Sequence, residues 1–324
     1  MSTPTPSGGD GSAHGLSGVA MTLLTPLYGR AHAAELLPGT AFRDPAAASV
    51  LASTGYRAPE VLTDRSNALG SVHRAIVFDE LTAAFCRTHP DAAVVSVGIG
   101  LDTRAERLAG ALPPSVTWLG VDMPDVVELR AALLPRDRAR VFPASITEPD
   151  WAERLLPLAG ERRTVLVLAE GVLMYLDPAG LRAFLTSCRS AFPAAELVAD
   201  FFHPKVALSG RHPIVKATGA QFRSGARGGR GLAAVAPGWE WVRDHRVMER
   251  ISLGHRAAAG LFRLLALGAP AHFRGPAAGR GVDGPGARGG AATALLPGRL
   301  AVVPRGPGNG PIVVTCLPPH TFLG

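Results

Sequence analysis

Between residues 94 and 202 short continuous apolar runs alternate with longer amphipathic stretches. The runs at 94–98, 117–122, 140–144, 164–170 and 196–202 are rich in Val, Leu and Phe. Runs of that length and composition read as strands buried on both faces. The intervening stretches near 104–112, 126–133, 151–158 and 178–191 read as helices. Upstream, Val72, Ile76, Val77, Leu81 and Phe85 recur at helical spacing and predict a longer helix over 65–89. Residues 16–55 look helical in pieces, with Asp44-Pro45 as a cap and first helical position. Strand and helix in alternation predict an α/β fold: a doubly wound, mostly parallel, Rossmann-like sheet. Past residue 202 the pattern weakens, leaving a sixth strand at 239–247 and a helix at 252–267.

Ligands of such a sheet sit beyond the carboxyl ends of its strands. Asp122, Ser145, Glu170 and His203 all fall at or just after a strand end. The first strand stops at Gly98-Ile-Gly100, where missing Cβ atoms let the backbone turn sharply and approach a ligand. The second ends in Asp122, about 20 residues on, where a nucleotide-binding βαβ unit places its ribose-binding acid. An adenosine-like ligand is expected.

The net charge of +7 raises nucleic-acid binding as a reading. Residues 1–204 carry 17 Arg against 22 Asp plus Glu, a net of −5, whereas 205–324 carry 16 Lys plus Arg against 4 Asp plus Glu, a net of +12. The basicity thus lies away from the glycine turn. Residues 223–230 hold no aromatic side chain for base stacking, and only two Lys occur, which fits GC-rich coding better than phosphate contacts. Cys86, Cys188 and Cys316 form no CxxC or Cys/His cluster, which argues against a disulfide scaffold or metal site and suits the cytoplasm. Residues 1–10 lack a signal-peptide pattern, and the longest apolar stretch, 257–271, is interrupted by Arg263. Residues 1–15 read as a disordered N-terminus. After Arg274, 20 of the last 50 residues are Gly or Pro against 46 of the first 274, so 275–324 reads as a Gly/Pro-rich disordered tail. Only 311–317 keeps a strand pattern there.

Several separate motifs stand out: Thr22-Leu-Leu-Thr-Pro-Leu-Tyr-Gly-Arg-Ala31, Phe42-Arg-Asp-Pro-Ala46, Arg74 with Asp79, Gly98-Ile-Gly-Leu-Asp-Thr-Arg104, Val121-Asp-Met-Pro124, Ser145 with Trp151, and Glu170-Gly-Val-Leu-Met-Tyr-Leu176. Together they resemble the leucine carboxyl methyltransferase family, within it the branch of polyketide O-methyltransferases. The resemblance covers about residues 16–274 and implies a class I S-adenosylmethionine-dependent methyltransferase fold. A helical lid at 16–90 would cover a core at 91–274. It implies S-adenosylmethionine as cofactor and a small hydrophobic acceptor bearing a carboxylate or hydroxyl. Asp122 with Met123 would take the ribose, Gly98 and Gly100 the methionine and ribose backbone, and Arg74 the ligand's carboxylate through its fork of donors. Ser145 and Ile146 would edge the adenine, Glu170 and Gly171 would face the ammonium or sulfonium side, and Tyr175 would wall the pocket or belong to the core. Leu24, Tyr28 and Arg30 would line the lid and no metal is implied; the family's final antiparallel strand would fall soon after Arg274, where this chain turns to Gly and Pro, so that strand is either missing or replaced by 312–317.

Other readings attach to the same residues. Asp102 and Arg104 could pair with each other or cap a helix, and Asp79 could partner Arg74 or a neighbouring helix. His203 is the histidine placed to act as a general base, with His32 behind it. A nicotinamide-dependent oxidoreductase would share the Gly-x-Gly and the acid, but Thr103 stands at its third glycine. A frameshift near Arg274 would explain the tail composition and leave a catalytically impaired relative that only binds the cofactor.

Overall fold

The computed structural model describes residues 22–54, 65–160, 164–209, 213–245, 247, 272–274 and 311–317. The strands are β1 Ala93–Val97, β2 Thr117–Asp122, β3 Arg140–Pro143, β4 Val165–Ala169, β5 Glu196–Phe202, β6 Trp241–His245, β7 His272–Arg274 and β8 Pro311–Leu317. The helices are α1 Leu24–Ala31, α2 Ala33–Leu36, α3 Pro45–Thr54, α4 Arg65–Thr88, α5 Arg104–Arg107, α6 Pro124–Leu133, α7 Leu156–Ala159, α8 Pro178–Ala191, α9 Pro204–Ala207, α10 Pro213–Thr218 and α11 Gly228–Ala233.

The strands join one sheet in the order β3-β2-β1-β4-β5-β8-β6-β7, and the first five pair in parallel. Every residue of β1, β4 and β5 is buried, which is why these strands read as unbroken apolar runs. One face packs Val95, Val97, Val167 and Ala199 against Trp151, Phe184 and Leu185. The other packs Val94, Leu166, Leu168 and Val198 against Phe78, Phe85 and Cys86 of α4. The helix α8 starts where expected because Pro178 pre-sets its first turn and Asp177 accepts the N–H of Gly180 at 2.7 Å.

One expectation changes, and the alternatives for the last strand are decided. The helix foreseen over 104–112 is a single turn, α5, after which the chain runs through Gly110 and Pro113. The closing strand expected after Arg274 is present only as the three-residue β7, antiparallel to β6 and β8. The slot beside β5 is filled by β8, parallel to both β5 and β6. That pairing covers the row of N–H and C=O groups that β5 would otherwise leave as a bare edge. The helix foreseen over 252–267 and the segment 275–310 lie outside the described residues. Among the described residues no helix is long and apolar enough to cross a membrane.

The N-terminal helices sit over the carboxyl ends of the strands. Close approach of α1 to α4 depends on Gly29, where a Cβ would stand 2.7 Å from the carbonyl oxygen of Ala68 and 3.2 Å from Cβ of Ser71. A backbone oxygen inside a helix cannot step aside. Gly29→Ala is therefore expected to cost about 1–3 kcal/mol through overpacking, read as a lower urea midpoint with unchanged slope. An unchanged midpoint would show that α1 does not dock this closely.

Candidate cofactor site

The site begins at the exit of β1. Gly98 and Gly100 have φ of +56° and +50°, in the left-handed region that a side chain disfavours. A Cβ on Gly98 would run into Val172, and one on Gly100 would lie 2.5 Å from Cδ2 of Leu23. The register Val97↔Val121 puts Asp122 level with this turn. Its Oδ2 accepts the N–H of Gly100 at 2.7 Å and its Oδ1 the N–H of Met123 at 2.8 Å. Burial pushes the Asp122 carboxyl up, although both N–H groups pull against that shift. Each oxygen keeps a lone pair beyond these bonds, enough for two hydroxyls. Met123 beside it is 50% exposed, an apolar cover without a partner surface.

The floor of the cleft is ionic. Arg74, from α4, donates through Nε to Oε1 of Glu170 at 2.9 Å and through Nη1 to Oδ2 of Asp200 at 2.8 Å. The second oxygen of Glu170 accepts from Nη2 of Arg104 at 2.7 Å. Arg104 also donates through Nε to Asp79 at 2.7 Å and through Nη1 to Asp102 at 2.5 Å. Arg107 grips Asp79 with two nitrogens at 2.8 and 2.9 Å and reaches Asp44 at 2.7 Å. Asp44 further accepts from Nε of Arg30 at 3.0 Å, from the hydroxyl of Thr103 and from the N–H of Ala47. Arg30 closes the circuit by donating to the carbonyl of Leu101 at 2.7 Å, and Arg130 donates to the carbonyls of Gly100 and Asp102. The glycine turn is thereby held on its oxygens by two guanidiniums and on a nitrogen by Asp122.

Above this floor lies a recess, open to solvent and walled by Leu23, Pro26, Gly98, Gly100, Arg74 and Glu170. Ser145 is half-buried, its hydroxyl 2.8 Å from that of Thr147, and Ile146 is buried beside Ala144. Gly171 has φ of +72° and donates to Oδ1 of Asp200 at 2.5 Å. The ring of Tyr175 packs tilted by 60° against Phe222 at 5.2 Å, its hydroxyl is hydrogen-bonded to Thr22, and burial pushes its phenol up to about 12.

Several residues sit differently from the sequence expectation. Arg74 has Nε and one N–H of Nη1 engaged, so among the described residues Nη2 is the one nitrogen without a partner, its two N–H groups and the second N–H of Nη1 being left to donate. Leu24 and Tyr28 turn away from the cleft: Leu24 packs with Leu27, Val50 and Leu101, and Tyr28 stacks on His32 at 4.2 Å. The lid residues that meet the recess are Leu23 and Pro26, with Arg30 as its tether. Asp102 and Arg104 do pair, and Asp102 also accepts the N–H of Arg104. Asp79 partners Arg104 and Arg107, not Arg74. His203 is buried as the N-cap of α9, its Nδ1 accepting the N–H of Lys205 at 3.2 Å. The neutral ring then carries its proton on Nε2 and offers a donor there. Burial, with Arg227 and Lys205 nearby, also pulls its pKa down. His32 donates from Nδ1 to the carbonyl of Tyr28 and is not among the residues walling the recess. Asp44 caps α3 as expected, accepting the N–H of Ala47, but its ionic role, like Asp200, Arg107 and Arg130, went unread, although an acid inside the apolar run of β5 was a visible signal for Asp200.

A parallel sheet with a glycine turn at β1, an acid ending β2 and a shaped cleft over both defines an α/β enzyme built around a nucleoside-bearing cofactor. Residues 26–188 match the leucine carboxyl methyltransferase family. A protein of Streptomyces glaucescens described as the tetracenomycin polyketide synthesis O-methyltransferase TcmP is 34% identical over 225 residues, which is 69% of this chain and 81% of that protein. The chain belongs to the leucine carboxyl methyltransferase family. It is a methyltransferase that takes its methyl group from S-adenosylmethionine. Among solved structures, an S-adenosylmethionine-dependent methyltransferase of Anabaena variabilis overlaps with a TM-score of 0.38 at 14% identity, over 54% of this chain and 74% of that one. A mitomycin 7-O-methyltransferase overlaps with a TM-score of 0.32 at 20% identity, over 52% of this chain and 48% of that one. Both overlaps are loose.

The ion network makes stability depend on acid pH. Burial raises the carboxyls of Asp44, Asp102 and Glu170, but the surrounding guanidiniums outweigh it and hold all three below their ordinary values. Groups depressed in the folded state stabilise it above their unfolded pKa of about 4 and lose that contribution as pH falls through the folded value. Asp122 and Asp200, raised by burial, act in the opposite sense and soften the loss. Asp44→Ala strands Arg30 and Arg107 and is expected to cost about 3–5 kcal/mol at pH 7. The deficit should shrink toward pH 3 in urea titrations, and a deficit independent of pH would remove the ionic account.

Proposed function

We propose that the protein transfers a methyl group to the carboxylate of a small hydrophobic acid of the polyketide type, within a catalytic unit spanning residues 16–274. One observation carries the choice of carboxylate. Among the described residues, the titratable groups walling the recess are the guanidiniums of Arg30, Arg74 and Arg104, and Asp102 and Glu170, which those arginines or their neighbours hold ionised and poorly basic. Tyr175 stays neutral because its phenol is raised to about 12, and His203 offers a donor. A phenol acceptor needs a base to take its proton, whereas a carboxylate arrives with its oxygen already anionic.

The residues fit the cofactor. The left-handed glycines leave backbone room, Asp122 keeps lone pairs for a ribose diol, and Arg74 keeps Nη2 for a carboxylate. Met123, Ser145 and Ile146 would border the adenine, and Glu170 with Gly171 the ammonium side. The sulfonium supplies an activated leaving group, so the protein's task is alignment and exclusion of water. Leu23 and Pro26, pinned over the turn by Arg30, are suited to that exclusion. The 34% identity to a polyketide O-methyltransferase supports the acceptor class.

The test is a tritiated-methyl assay against a panel of aromatic polyketide acids and matched phenols. Label released by mild alkali marks an ester and is the expected result; alkali-stable ethers from the phenols alone would defeat the carboxylate reading. Asp122→Ala should weaken binding of S-adenosylhomocysteine by about 10–100-fold in calorimetry, the size of a lost charged hydrogen-bond pair. His203→Gln should keep kcat within about tenfold, because loss of a true general base costs on the order of 10²–10⁴. A loss in that larger range would restore His203 as the base.

A further inference from the structure

Asp200 has no role in the cofactor contacts or the methyl transfer, yet it is a wholly buried carboxylate in the middle of a sheet. It sits on β5 between β4 and β8, one residue beyond the pair Ala169↔Ala199, with apolar Ala199 and Phe201 as its chain neighbours. An ionised group there is costly unless both oxygens are satisfied. They are: Oδ1 takes the N–H of Gly171 at 2.5 Å and Oδ2 takes Nη1 of Arg74 at 2.8 Å. Gly171 lies against the guanidinium, since a Cβ built on it would be 3.5 Å from both Nη1 and Nη2. One carboxylate thus holds the loop after β4 and the arginine from α4 in a single fixed relation.

We propose that Asp200 is the positioning residue for the amino-acid end of the cofactor: it orients Arg74 and the Gly171 turn so that Nη2 of Arg74 meets the ligand's carboxylate. The inference rests on the proposed fit of S-adenosylmethionine to this cleft. Glu170 alone cannot do this. It holds Nε, and a planar guanidinium held by that single hydrogen bond can still swing as a rigid unit about it. A second anchor at Nη1 stops that swing and leaves Nη2 as the one nitrogen without a partner among the described residues. The anchor has to be an acid. An amide in its place offers one acceptor oxygen for two donors and turns an N–H group toward one of them.

Two ligands separate positioning from bulk stability. S-adenosylhomocysteine and 5′-methylthioadenosine share the adenosine and the thioether, and only the first carries the amino-acid end. In calorimetry on the full chain, Asp200→Asn should weaken S-adenosylhomocysteine by about tenfold or more and leave methylthioadenosine within about twofold. In an Arg74→Ala background the same substitution should change neither affinity by more than about twofold, since the residue it positions is gone. Equal losses on both ligands, or an unchanged affinity for S-adenosylhomocysteine, would overturn the proposal. Retained methylthioadenosine binding reports that the variant is folded. If Asp200→Asn does not fold, Asp200→Glu takes its place; its extra methylene displaces Arg74 and should give the same selective loss, and a wild-type affinity would be fatal. A native chain that binds neither ligand would refute the cofactor reading itself, a result distinct from any of these.

Discussion

Under the cleft, five guanidiniums share six carboxylates, and nearly every functional feature hangs on how they are shared. Arg104 faces Asp79, Asp102 and Glu170; Arg107 faces Asp79 and Asp44; Arg74 faces Glu170 and Asp200; Arg30 takes Asp44 and Arg130 takes Asp137. The members come from α1, the start of α3, α4, the turn after β1, α6, the exit of β4 and the middle of β5. Ion pairs this buried contribute little net stability relative to a well-packed apolar core, because desolvation offsets their attraction. What they give is register. Removing one partner leaves a bare charge, so the lid, the glycine turn and the loop after β4 tolerate only small departures from one arrangement.

The same sharing sets the chemistry available in the cleft. Asp102 and Glu170, the carboxylates walling the recess, are surrounded by permanently charged guanidiniums, which favours their ionised form and makes them poor proton acceptors, whereas Asp122 and Asp200 are raised by burial. The neutral groups nearby are donors, Tyr175 through its phenol and His203 through Nε2. On the proposed reading the cleft aligns an acceptor that arrives already anionic, because its described residues offer little means to create one. Methyl transfer from a sulfonium asks for little more than that, since the leaving group is already activated.

The central strands were legible because burial on both faces writes itself as unbroken apolar runs, and Asp122 was legible because an acid ending such a run is conspicuous. The partners of the ion network were not. Arg74 and Asp200 are separated by 126 positions and Arg107 and Asp44 by 63, and no local pattern encodes a contact across that distance. Asp102 and Arg104, two positions apart, were read correctly for the converse reason. The lid illustrates a different limit. Successive helical residues differ by about 100° in direction, so the sequence could nominate α1 while leaving open that Leu23 and Pro26 face the recess and Leu24 does not.

The composition break at Arg274 divides the molecule along the same line as the chemistry. Every residue walling the recess or holding its ion network lies at or before position 200, on the half of the sheet from β3 to β5. The later strands complete the edge: β8 lies along β5, with β6 and β7 beyond it. Asp200 is the point where the two halves meet, because its register partner across the strand pair is Thr315 of β8. A loss at the far edge would therefore be felt first through the backbone that carries Asp200, and through it by Arg74, before it reached the glycine turn. On the proposed placement of the cofactor, its amino-acid end rather than its adenosine is therefore the part that the far end of the chain reaches first, through Asp200 and Arg74.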